Sequence, residues 1–374
     1  LGRRMWDPEK SKKAYPTRES FMEALAPVLH EELITIRDVG LDVVQFDDPH
    51  LCLFVDEEVR AQFDDPDREA DYCVGLLNDI FAGVEGVTLA IHLCRRNKAR
   101  AGWVGEGGYG PIIDALKRLH VNQYVMEFTI PVAGDLAVLR EFHRLGVRYM
   151  TLTHNNSNNW GDGILDEERH GGLTDFGRDV VREMNRVGIL VDISHVSVKT
   201  FWDAMETTTK PVIASHSSSY VICQNPRNMN DDQLRAVAKN GGVVGVNFEV
   251  TFVSQSRNVE EDRLNTRRDQ ELAGASDDAK EEIESRYKGL VNQLARPDWT
   301  EIVDHIDHMV KVAGIDHVGL GSDFDGCRLP NGMEDCTKVP KITEELVRRG
   351  YSDTDIRKIL GENTLRVMEA TLGE

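Results

Sequence analysis

An α/β fold of the (β/α)8 TIM-barrel kind is predicted by three features of the 374-residue sequence. Eight short β-branched or apolar runs recur, each followed by a stretch of helical period, which is the mark of repeated βα units. The runs are apolar almost without interruption, as strands of a parallel sheet covered on both faces are. Polar, chemistry-bearing side chains gather at the C-terminal ends of the runs, the face on which such barrels place their active sites. An open doubly wound sheet is the competing architecture, but no G-x-G-x-x-G follows any of the runs.

In chain order, strands are expected at LDVVQF (41–46), GVTLAIHLC (86–94), QYVMEFTI (123–130), VRYMTLTH (147–154), GILVDISH (188–195), PVIASH (211–216), GGVVGVNF (241–248) and HVGLGSD (317–323). Helices are expected over 67–81, 109–119, 136–145, 174–187, 198–207, 231–240 and 299–313. Residues 255–295 are highly charged (NVEEDRLNTRRDQ, SDDAKEEIESRYK) and read as a helical insertion between the seventh and eighth strands, either a solvated excursion or a lid. Residues 340–374 read as closing helices, with Ser352 the N-cap of one over 353–360 and Asn363 the N-cap of the last. No Pro- or Gly/Ser-rich linker and no repeat of solenoid period divides the chain, so a single domain over 1–374 is expected.

Composition narrows the function classes. With 64 acidic against 44 basic side chains the formal charge is −20, and no Lys/Arg-rich run interrupts it. A nucleic-acid groove or an anionic membrane surface is therefore not the expected partner. No stretch approaches the roughly 18 apolar residues of a spanning helix, and LGRRMWDPEKSKK lacks the apolar centre of a signal peptide, so a cytoplasmic protein is expected. The first residue is Leu, so the start has been trimmed or the chain is a piece of something longer. Its 6 cysteines are irregularly spaced and form no C-x-x-C, which suits free thiols or a single metal ligand better than a disulfide framework.

Glu127 closes the third run, His154 the fourth, His195 the fifth, His216 the sixth and Asp323 the eighth. A lone strand-end histidine is often only a hydrogen-bonded imidazole, and a lone strand-end Asp often caps the next helix. Their recurrence argues otherwise, because independent structural histidines have no reason to share one face. Imidazoles with carboxylates are the ligand set of zinc or a similar divalent ion, and a barrel mouth can hold two such ions bridged by a carboxylate and a hydroxide. A metal-assisted hydrolase is expected.

From about residue 140 to the end, the blocks LGVRYMTLTHN, GLTDFGRDVVREMNRVGILVDISHVS, PVIASHSSSY, PRNMNDDQLRAVAKNGGVVGVNF and HVGLGSDFDG resemble the membrane (renal) dipeptidase family of zinc peptidases, a branch of the amidohydrolase-like barrels. The resemblance implies that His195 and His216 are zinc ligands, that His154 polarises the scissile carbonyl, that Arg227 holds the substrate carboxylate and that Asp323 shuttles the proton. It implies further that Glu127 bridges two metals. The His-x-Asp pair with which that family opens is absent upstream of Glu127. Instead LGRRMW, AYPTRESF, VVQFDDPHL, AIHLCRRN and YVMEF resemble the catalytic barrel of the cobalamin-independent methionine synthase family. There a thiol substrate is activated on zinc held by a His-x-Cys pair, a strand-end Glu and a later Cys. His92, Cys94 and Glu127 match the first three, and the later Cys falls in the part of that family this chain lacks.

The sequence thus reads as a hybrid barrel: three βα units of methionine synthase kind over 1–135, then five of dipeptidase kind over 136–374, joined near GDLAVLREFHRLG. His195, His216 and Glu127 can hold one zinc with a position open for water, while a second ion would draw on His92, Cys94 and Asp47 or Asp48. The expected cofactor is one or two Zn2+ ions, and the expected partners are a small dipeptide and, at most, a second copy of the chain. Arg227 suits a free carboxylate or a structural pair with Asp231 or Asp232, and Asp325 suits the substrate amino group or a turn cap. Three functions remain open: zinc-dependent hydrolysis of dipeptides, methyl transfer to a zinc-bound thiol, and a folded hybrid with a metal site and no turnover.

Overall fold

The computed structural model describes residues 6–7, 9–48, 50–93, 107–126 and 136–372. It divides into two compact units, Leu1–Ile189 and Leu190–Glu374.

In the first unit the leading helix α1 (Arg18–Asp38) is closed at its start by a capping box between Thr17 and Ser20. Sequence reading left this segment unassigned. Strand β1 (Val43–Asp47) leads into a buried 3-10 turn (Leu51–Val55) and then into α2 (Pro66–Phe81). Asp65 accepts the Arg68 N–H at 3.0 Å, and Pro66 occupies the first turn, where its missing N–H costs nothing. Ala70, Cys73, Val74, Leu77, Ile80 and Phe81 form the buried stripe of α2, each large member of which contributes roughly 1.5–3 kcal/mol on burial. Strands β2 (Thr88–Leu93) and β3 (Gln123–Met126) complete a parallel sheet in the order β1-β2-β3, with Asp47 opposite His92 and His92 opposite Val125. The helix expected over 109–119 is only a 3-10 turn (Gly110–Ile112) and one turn of α-helix (Ile113–Leu116). Gly110 and Pro111 carry no propensity to lengthen it.

Helix α3 (Leu136–Arg144), strand β4 (Tyr149–Thr151) and helix α4 (Asp175–Val187) follow. The long connection from β4 to α4 is folded by its own polar groups. Asp162 accepts N–H bonds from Arg169, His170 and Gly172, and the Asn158 side-chain oxygen Oδ1 accepts those of Trp160 and Gly161.

In the second unit β5 (Leu190–Asp192), β6 (Ile213–Ala214), β7 (Val243–Val246) and β8 (Val318–Leu320) pair in parallel in sequence order. Helix α5 (Val198–Thr207) follows β5 and helix α6 (Asp231–Asn240) follows β6, with caps from Ser197 and from an Asn230–Gln233 capping box. Both bounds agree with the sequence expectation. The insertion forms two helices, α7 (Gln255–Ala273) and α8 (Asp277–Gln293), ahead of α9 (Thr300–Ala313). Its base is clamped rather than solvated. Buried Arg257 donates to Glu261 at 3.1 Å and to the Val291 carbonyl at 3.0 Å, while Arg328, beyond β8, reaches Glu249 at 2.7 Å and Glu261 at 2.8 Å.

Helix α10 (Pro340–Arg348), a short helix (Asp353–Arg357) and α11 (Asn363–Leu372) close the chain. Ser352 caps as expected, in a box with Asp355. Asn363 does not: its amide donates to the carbonyls of Ile315 at 2.7 Å and Val318 at 2.9 Å, so it holds the entry to β8. Leu190, Val243 and Val367 pack together, with Ile213 and Met368 against them. No described helix is long and apolar enough to cross a membrane.

Candidate active site

The strands of the second unit are shorter than the apolar runs, and the residues just past their ends carry the candidate chemistry. His195 lies three residues beyond β5 and His216 two beyond β6. Their Nε2 atoms face each other at 2.7 Å, with ring planes at 65°. His216 is fixed from behind. Its Nδ1 lies 2.7 Å from Ser215 Oγ, and Ser215 Oγ donates to Asp192 Oδ2 at 2.6 Å. Because that hydroxyl proton is used on Asp192, the imidazole must donate from Nδ1, which leaves the Nε2 lone pair directed at His195. This is the tautomer a metal ligand requires. Asp192 is fully buried yet satisfied, since its other oxygen accepts the Ser194 and Ser215 N–H groups at 3.0 Å each. Burial and the nearby Arg227 charge hold the His216 imidazole below its ordinary range, opposed by Asp323 and Asp192. The ring is thereby kept neutral.

Arg227 is 5% exposed and donates to the His216 carbonyl at 3.3 Å, with its guanidinium 5.4 Å from the Phe252 ring centroid. Its Nε is buried with no hydrogen-bond partner. Burial pushes its pKa down to about 10, with Asp323 and Asp192 opposing, so it is a cation at neutral pH. The alternative pair with Asp231 or Asp232 is not what the structure holds: Asp231 bonds His308 at 2.8 Å and Asp232 bonds Arg235 at 2.9 Å. A buried cation with a spare donor suits a carboxylate ligand.

Asp323 lies past β8, and its Oδ2 accepts from Asn247 Nδ2 at 3.2 Å. His195, Asp323 and Asp325 have φ values of 67°, 59° and 66°, and they are the non-glycine residues with positive φ among those described. Left-handed backbone at a side chain-bearing residue costs of order 1–3 kcal/mol. Its confinement to three residues singled out by sequence is an independent sign of a functional site. Asp325 is exposed, in the turn that the Gly326 N–H to Asp323 carbonyl bond closes.

The remaining expected residues belong elsewhere in the chain. His154 is half-buried beyond β4 in the first unit, and His92 is half-buried on β2 with Nδ1 3.2 Å from the Val125 carbonyl. Glu127 and Cys94 lie outside the described residues. Sequence reading missed Asp192, Ser215 and Asn247, whose only signal was a polar residue inside an apolar run. It also missed His305 on α9, which accepts the Ser219 N–H at 2.9 Å and bonds the Val253 carbonyl at 3.0 Å.

The profile of the membrane dipeptidase family, peptidase family M19, matches residues 118–372. Among solved structures the chain is similar to a metallopeptidase of Rhodobacter sphaeroides liganded with a phosphinate mimic of the dipeptide L-Ala-D-Ala. The identity is 27% and the TM-score 0.53, over 67% of this chain and 63% of that one, so the chain spans less than two thirds of that enzyme's length. It is similar to the probable dipeptidase PvdM of Pseudomonas aeruginosa at 22% identity and TM-score 0.64, over 94% of this chain and 98% of that one. An amidohydrolase of Pseudomonas aeruginosa gives 23% identity and TM-score 0.58, over 93% of each chain. These last two are likenesses of fold, an α/β fold with parallel strands. With the profile covering well over half of the sequence and taking in His195, His216, Arg227 and Asp323, the chain belongs to the membrane dipeptidase family, peptidase family M19.

Proposed function

We propose that the protein is a zinc-dependent hydrolase of dipeptides. The observation that carries this reading is the pair of Nε2 atoms from His195 and His216 turned toward each other at 2.7 Å, the second locked by Ser215 and Asp192. Two facing imidazoles, that of His216 fixed in its tautomer, are a fitting donor set for zinc once His195 Nε2 gives up its proton, and Glu127 would be the carboxylate beside them. A divalent ion held there supplies an acidified water and Lewis-acid polarisation of the peptide carbonyl. Arg227, buried and charged, would take the C-terminal carboxylate of the dipeptide and so exclude substrates without one. Asp323 would carry the proton to the leaving amine, its Oδ2 being steadied by Asn247. The left-handed backbone at Asp323 sets the direction of that carboxylate before substrate arrives. From the resemblance, His154 is assigned to the carbonyl oxygen; Asp325 is left to the amino group or a turn cap, and His92 with Cys94 would serve a second ion.

The same proposal takes residues 1–135 as βα units of methionine synthase kind ahead of five of dipeptidase kind. It is supported by the sequence blocks quoted above; the family match begins at residue 118 and so takes in the last of these three units.

The test is amino-acid release from dipeptides by protein purified without chelator, then stripped and reloaded with Zn2+. Turnover should vanish on stripping and return with zinc. Asp323→Asn should keep its metal and lose turnover by about 10²-fold or more. Turnover that ignores the chelator, or survives in Asp323→Asn, would overturn the assignment.

A further inference from the structure

A second cluster of metal-ligating side chains lies in the first unit, at residues to which hydrolysis gives no part. Glu69 and Cys73 stand four apart on α2, so their side chains emerge on one helix face. His50 immediately precedes the buried 3-10 turn that packs against that helix. One ligand atom from each of the three comes within 4.8 Å of both others. The edges of a zinc tetrahedron are roughly 3.3–3.8 Å, given bonds of about 2.0–2.3 Å, so small side-chain adjustments bring all three into range.

Each member is already oriented. The Asp48 carboxylate accepts the His50 N–H at 2.8 Å and the Leu51 N–H at 3.3 Å, fixing the backbone that carries the imidazole. The His50 ring stands edge-on to Phe54, with centroids 5.5 Å apart. Arg18 binds Oε1 of Glu69 and so sets the plane of that carboxylate. His50 and Cys73 are buried; burial first, then the Asp48 and Glu69 carboxylates, push the Cys73 thiol up to about 12, with Arg18 opposing. Two carboxylates against the single Arg18 cation leave one negative charge beside the buried thiol and imidazole, which favours a further cation. One sulfur, one nitrogen and one oxygen donor select a borderline ion such as zinc or cobalt over magnesium or calcium.

We propose that His50, Glu69 and Cys73 bind a zinc-type divalent ion that ties the β1–α2 connection to the first turns of α2. The fourth position is left to water. This inference does not rest on the dipeptidase reading, because no residue of that reading takes part.

The experiment is a Co2+ titration of the chelator-stripped 374-residue chain, read in the near ultraviolet for thiolate-to-cobalt charge transfer. The His195–His216 pair has no sulfur and cannot give this band. The expected result is a saturable band that is abolished in Cys73→Ser and His50→Gln and retained in Cys94→Ser. Absence of the band, or its loss in Cys94→Ser with retention in Cys73→Ser, overturns the proposal. Should the Cys73 and His50 variants fail to fold by circular dichroism, the unaltered protein decides. Zn2+ must slow alkylation of Cys73, located by peptide mass spectrometry, and equal rates with and without Zn2+ overturn the proposal.

Discussion

Ser215 is not among the candidate metal or substrate ligands, yet the state of His216 depends on it. Its hydroxyl accepts from Nδ1 and donates to Asp192, and this order of donors leaves the lone pair on Nε2. Replacing it with alanine leaves Nδ1 without its acceptor and the ring free to change tautomer. Ser215→Ala should weaken Zn2+ binding by about 10–100-fold, measured by competition with a chromophoric chelator, and Ser215→Thr should restore most of it. Unchanged affinity in the alanine variant would remove Ser215 from the positioning role. His195, His216 and Asp323 were legible in the sequence because they share a place at strand ends. Ser215 and Asp192 were not, because a polar residue buried within an apolar strand leaves no periodic trace and is identified only by its partners.

At the scale of the strand, glycine governs how closely the carriers of the site approach. A Cβ at Gly321 would strike the Ser215 carbonyl oxygen and crowd the Gly245 backbone, and a Cβ at Gly245 would meet the same oxygen. Gly321 also donates to the Val246 carbonyl at 3.0 Å, so the clash cannot be relieved without breaking ladder bonds. Gly321→Ala should destabilise the protein by about 1–3 kcal/mol, as overpacked sites do, and should weaken zinc binding with it. A denaturant midpoint equal to that of the unaltered protein would count against this account. The elements themselves were readable where local chemistry and tertiary packing agree. Helices α5 and α6 begin where Ser197 and Asn230 cap them, and a strand begins within each of the eight apolar runs. Helix α1 escaped notice because it buries only Met22, Ala26 and Leu33 and carries Pro27 inside it, leaving a weak helical stripe. The insertion read as charged because most of its surface is, and the clamp at its base involves Glu249 and Arg328, far apart in sequence.

For the whole molecule, groups outside the active site add to the acid sensitivity that the depressed His216 imidazole already brings. His305 is buried on α9 and held neutral, its pKa driven down to about 4 by burial despite the Val253 carbonyl. Between its ordinary 6.5 and about 4 the unfolded chain takes up a proton that the folded chain refuses, so stability falls as pH falls through that window, by of order 3 kcal/mol. Glu183 and Glu345 act lower. Arginine partners hold both carboxyls at about 2, so the stability they lend above pH 4.5 is lost as pH falls toward 2. Chemical denaturation at stepped pH should therefore show two stages of loss, and His305→Gln should flatten the upper one. A single stage below pH 4.5 in the unaltered protein would contradict this assignment. The clamped insertion has a practical consequence as well. Arg257 and Glu261 secure the first turns of α7, and the helix then runs roughly 18 Å further, at about 1.5 Å per residue, to the exposed Gly274. A fluorophore or purification handle spliced in at residues 274–276 would therefore sit at the free end of a lever whose fulcrum stays untouched.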